Sequence, residues 1–83
     1  MFRYSLEFIL NSPEVNPQKI KDSIMEFGEN LSVAELFPEA GKDLKDYKIN
    51  INTEDPTIIF DICSQFGRIK SVKIDEDQAY GTK

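Results

Sequence analysis

The chain has 83 residues, 40% of them apolar and 30% charged, with 15 acidic against 10 basic side chains for a net charge of −5. This is one domain's length, since independent domains start at roughly 50 residues and a second core would not fit. The negative charge opposes the counterion release that drives nucleic-acid binding, and one cysteine with no histidine excludes an internal disulfide and an ordinary thiolate–imidazole zinc site.

The opening MFRYSLEFIL lacks the long apolar run and small-residue cleavage site of a signal peptide, and no later stretch approaches the ~20 apolar residues of a membrane span. A cytoplasmic chain without a membrane partner is expected. From Phe2 to Leu10 apolar residues alternate with Arg3, Ser5 and Glu7, the period of a half-buried strand. NSPEVNP interrupts it, and Asn16 followed by Pro17 is a helix start, an N-cap before a proline that needs no backbone donor. Ile20, Ile24 and Phe27 form one stripe of a helix from Pro17 to Phe27, with Gly28 as a left-handed cap.

LSVAELF reads as a second strand, Leu31, Val33 and Phe37 sharing a face with Glu35, and Pro38 to Asp46 as a solvated loop. A third strand follows from Tyr47 to Asn52. Thr53 or Asp55 then caps a second helix from Pro56 to Phe66, with Ile59, Ile62, Cys63 and Phe66 as its apolar stripe and Gly67 as its stop. RIKSVKI supplies Ile69, Val72 and Ile74 to a fourth strand. Residues 1–76 thus form a single α+β domain, 77–83 a polar tail, and no repeat, linker or low-complexity segment stands out. The order strand, helix, strand, strand, helix, strand predicts a two-layer sandwich of the ferredoxin-like kind, two helices on one face of an antiparallel sheet, with a rearranged α+β topology as the alternative. Arg3, Ser5, Lys48, Asn50 and Lys73 are expected on the open face.

YKININ through DPTIIFDICSQFGRIKSVKI, Tyr47 to Ile74, resembles the first half of an RNA-recognition motif: a strand, a helix ending in Phe-Gly, then a strand. That family stacks bases on strand aromatics, where this chain has Lys48 and Asn50, so the resemblance implies shared packing and no nucleic-acid partner. In length, element order and acidity the sequence is also similar to a small uncharacterised family from methanogenic archaea, some of whose members are described as calcium-binding. That second resemblance implies an oxygen-ligated cation and assigns no ligands.

In the ferredoxin-like arrangement the exit of strand three and the end of strand four share one edge, which groups Glu54 and Asp55 with Asp75, Glu76 and Asp77, with Glu29 nearby. Calcium takes about six to eight oxygens at about 2.3–2.6 Å, so these carboxylates are the first candidate for a Ca2+ site. Glu39, Asp43 and Asp46, with Glu14, are the second, interrupted by Lys42 and Lys45. Asp75 and Asp77 begin an EF-hand spacing that fails at Ala79 and Tyr80. A solvated acidic rim explains the same residues, and Asp55 is accounted for as a helix cap.

Cys63 sits on an apolar stripe with no histidine to activate it, so it reads as core. Glu7 and Glu35 make an acid–base pair only if their strands bring them together. Ile9, Leu36 and Ile51 fall out of phase or near an edge and are candidates for a partner surface. The expectation is a non-catalytic domain binding a divalent cation, calcium first. The alternative is a protein-interaction or homodimerisation module, its partner a basic protein or a second copy; an enzyme is not expected.

Overall fold

A computed structural model describes residues 3–36 and 44–76. The elements are β1 (Tyr4–Ser12), α1 (Pro17–Ile24) continued by a 3-10 turn (Met25–Phe27), β2 (Glu29–Glu35), β3 (Lys45–Thr53), α2 (Pro56–Ser64) and β4 (Arg68–Glu76). The strands form one antiparallel sheet in the order β2-β3-β1-β4, so this is the α+β two-layer fold expected. Each helix carries the chain past one strand: α1 leads from β1 over β3 to β2, and α2 from β3 over β1 to β4.

Period-two alternation sets the core. Leu6, Phe8 and Leu10 of β1 and Tyr47, Ile49 and Ile51 of β3 point to one side, where Ile20, Ile24, Ile59 and Cys63 of the helices close over them. Ile51 is therefore core rather than a surface candidate: it lies opposite Leu6 and continues the row begun by Tyr47 and Ile49. An edge-to-face contact between Phe8 and Phe60, ring centroids 5.2 Å apart, ties β1 to α2. On the open face Ser5, Lys48 and Lys73 are exposed, and Ile9, half-buried, lies between Lys48 and Lys70 in the strand register.

Both helix starts follow the chemistry expected of them. Asn16 accepts from the Gln18 amide at 2.9 Å and Asp55 from the Thr57 amide at 3.0 Å, each ahead of a proline. Gly28 departs from its expected role. Its φ is −172°, extended rather than left-handed, and glycine is needed because a Cβ there would land on the Asn52 carbonyl oxygen. Gly67 meets the Asn11 carbonyl oxygen in the same way. The left-handed residues are Asn30 (φ 56°) and Ser71 (φ 57°), one at each edge-strand irregularity.

These parallels extend through the chain. β1-α1-β2 and β3-α2-β4 are two copies of one design related by a two-fold through the Phe8–Ile49 pair, a repeat that the residues alone do not disclose. Asn16 matches Asp55, Pro17 matches Pro56, Ile20 matches Ile59, Ile24 matches Cys63, Phe27 matches Phe66 and Gly28 matches Gly67. The halves clasp one another. Ser12, ending β1, donates to the Phe66 carbonyl at 2.7 Å, while Thr53, ending β3, donates to the Phe27 carbonyl at 2.7 Å. Each hydroxyl also accepts the amide two residues on, from Glu14 and Asp55.

Candidate functional site

Tyr4 faces Thr53 across β3 and Glu76 across β4, so the exit of β3 and the end of β4 reach the same end of the sheet. β1 lies between them, however, two strand spacings or ~9.6 Å, and two of the carboxylates there have other partners. Asp55 caps α2, and Glu76 lies 3.2 Å from the Arg3 guanidinium. Glu54 and Asp75 are exposed, and Glu29 faces Asn52 on the far side of β3. Of the second set, Asp46 accepts from the Asn11 side-chain amide at 2.7 Å and lies 3.6 Å from Lys70. Asp77, Glu39 and Asp43 lie outside the described residues. Among the described residues no three acidic or thiol side chains are grouped to hold a metal ion.

Glu7 and Glu35 are on opposite sides of the sheet, since Glu7 faces Asn50 while Glu35 faces the buried Tyr47. Each pairs with a lysine instead: Glu7 with Lys48 at 3.1 Å, Glu35 with Lys45 at 2.9 Å. The hydrogen bond that Lys45 donates to Glu35, and then the carboxylate's charge, raise the Lys45 pKa. Burial pushes the Cys63 thiol up to about 12, leaving no thiolate at neutral pH. Tyr47 donates to the Glu14 carbonyl, and burial raises its pKa.

The feature that the sequence did not disclose lies along β4. Ile74 faces the buried Leu6, and Val72 follows the left-handed Ser71 onto the same side, so both belong to the helix-covered face. Yet Val72 is 49% and Ile74 47% exposed, while Ile69 alone of the β4 apolar residues packs against the core. The related edge strand differs: Leu31 and Val33 of β2 do pack there. The two halves thus differ here: the helix layer reaches Ile69 but not Val72 and Ile74, which leaves an apolar strip on the edge strand of the described sheet.

No helix among the described residues is long and apolar enough to cross a membrane. Residues 1–79 match one family model, the FakA-like middle domain of fatty acid kinases, and the match spans every element above. It supports neither the archaeal nor the RNA-recognition resemblance. No curated protein matches the chain.

Proposed function

The chain belongs to the FakA-like middle-domain family, and we propose that it serves a fatty acid kinase of that kind as a non-catalytic assembly domain, docking a neighbouring domain or a second polypeptide along β4. The observation that carries this reading is the half-exposed pair Val72 and Ile74 on the helix-side face of an edge strand. Apolar side chains gathered beside unpaired strand amides suit strand-to-strand or face-to-face docking. Among the described residues no three acidic or thiol side chains are grouped around a reacting centre, and the one thiol is buried and protonated.

Backbone-amide NMR of the labelled chain tests this. Titration with ATP–Mg2+, with a fatty acid and with calcium should give no saturable shift. Addition of the remaining domains of a FakA-like fatty acid kinase should move the amides of Ile69 to Glu76. Saturable shifts with ATP would overturn the non-catalytic reading, and saturable calcium shifts confined to residues 53–55 and 75–76 would return the acidic end of the sheet as the site.

A further inference from the structure

We infer that β4 receives an extended acidic segment of a different polypeptide, one in which acidic and apolar side chains alternate. The inference rests on the assembly reading above and adds the chemistry of the partner.

The irregularity at Ser71 sorts the side chains of β4 by kind. Strict alternation from Arg68 would put Val72 and Ile74 beside Arg68 and Lys70 on one face and leave Lys73 with Ile69 on the other. Instead the register slips between Glu7 and Ile9 of β1, where β4 has one residue more than its neighbour and Ser71 is left-handed. Arg68, Lys70 and Lys73 therefore all lie on the open face, opposite Asn11, Ile9 and Glu7, while Ile69, Val72 and Ile74 lie on the helix side. One strand thus carries a row of cations on one face and a row of apolar side chains on the other.

The cations form a local exception in an acidic chain. From Ile62 to Ile74 there are three basic residues and no acidic one, against a net charge of −5 overall. All three are exposed. Lys70 lies 3.6 Å from Asp46, and the carboxylate opposite Lys73, that of Glu7, is held by Lys48 at 3.1 Å. Among the described residues no carboxylate forms an ion pair with Arg68 or Lys73. The other edge strand has the opposite character: β2 carries Glu29 and Glu35 and no basic residue.

β1 lies on one side of β4, and among the described residues no strand lies on the other. Directly opposed residues of paired antiparallel strands share a face. A strand added there with acidic side chains beside Arg68, Lys70 and Lys73 places its alternate residues beside Ile69, Val72 and Ile74, and apolar ones cover the half-exposed pair. β1 itself keeps strict alternation past the irregularity, so a regularly alternating partner fits the same way. Cations on an edge strand ordinarily blunt pairing, and that repulsion becomes attraction for a segment of opposite charge. Asp75 and Glu76 end the basic row, which confines the partner's acids to the stretch before them.

The test is backbone-amide NMR of the labelled full chain with a blocked peptide alternating glutamate and valine. Saturable shifts of the amides from Ile69 to Asp75 are expected, weakening as salt rises. The same peptide with lysine for glutamate should give none, and serine for valine should weaken binding. Arg68→Glu and Lys73→Glu, which break no ion pair among the described residues, should each weaken it by about tenfold or more. No saturable shift at millimolar glutamate–valine peptide, an equal response to the lysine peptide, or indifference to both reversals would overturn the proposal. An oligothymidylate that saturates the same amides as tightly would make the row a nucleic-acid surface and overturn it too. If the acidic peptide fails while the β4 amides still respond to the other kinase domains, the acidic partner falls and the assembly reading stands.

Discussion

Ser12 and Thr53 perform the same task in opposite directions: each closes a central strand by donating its hydroxyl to the carbonyl just ahead of the glycine that follows the helix in the other half, Phe66 for Ser12 and Phe27 for Thr53. Both are buried, and both accept an amide as well, so each side chain joins two otherwise unsatisfied backbone groups.

Removing either hydroxyl while keeping the volume close strands those groups. Ser12→Ala and Thr53→Val should each cost about 1–3 kcal/mol. Thr53 faces Tyr4, eight positions along β1 from Ser12, which places the two sites ~27 Å apart. The double variant should therefore be additive. Urea unfolding midpoints at unchanged slope would check both statements.

Gly28→Ala and Gly67→Ala drive a methyl group into a backbone carbonyl that has no rotamer to yield. Each should destabilise by about 1–3 kcal/mol or more. Because the fit is steric and not a matter of φ, Asn at Gly28 should do no better than Ala, the reverse of the result expected at a left-handed helix cap. Thermal melts of the two Gly28 variants would decide.

Cys63 links stability to alkaline pH. The unfolded thiol loses its proton near pH 9, while burial holds the native thiol protonated to about 12. Between those values the native state binds more protons than the unfolded one, so stability is complete below about pH 9 and falls as pH rises, by at most about 1.4 kcal/mol per unit from this group. Tyr47 and Lys45 also titrate in the alkaline range, so the contribution is read as the difference between the wild-type chain and Cys63→Ala across that window. Ellman's reagent at pH 8 should label native Cys63 only as fast as the chain opens.

Val72→Ser and Ile74→Thr should leave monomer stability within about 0.5 kcal/mol, as befits half-exposed positions. Ile59→Val, on the buried stripe of α2, should cost about 0.5–1.5 kcal/mol for a single methyl group. A large loss at Val72 or Ile74 in denaturant titrations would assign them to the core of the fold instead of to docking.

Much of the architecture is legible in the residues. Leu6, Phe8 and Leu10 announce β1 by their period, and Asn16-Pro17 and Asp55-Pro56 announce both helices. β1 and β3 run on past their apolar rows through Asn11–Ser12 and Thr53 because strand pairing requires backbone groups and not side-chain type. The internal repeat stays hidden because equivalent positions carry different side chains, Ser12 for Thr53 and Ile24 for Cys63, and the loop after Ser12 is longer than the one after Thr53. The exposure of Val72 and Ile74 is hidden for another reason. An apolar residue alternating along a strand looks the same whether or not a helix reaches over it, and that reach depends on the length and placement of α2. The element order is enough to bring Asp55 and Glu76 to one end of the sheet, but the interposed β1 and the ion pair of Arg3 with Glu76 are facts of strand order and side-chain geometry.

The reciprocal clasp also sets a timetable for synthesis. When β1, α1 and β2 have left the ribosome, the Phe27 carbonyl has no hydroxyl to receive, Ser12 has no carbonyl to reach, and β1 lacks both of its sheet neighbours. The first half thus emerges as a nascent segment whose apolar row of Leu6, Phe8 and Leu10 waits for the second half, and cooperative folding begins only once β3 and α2 are available.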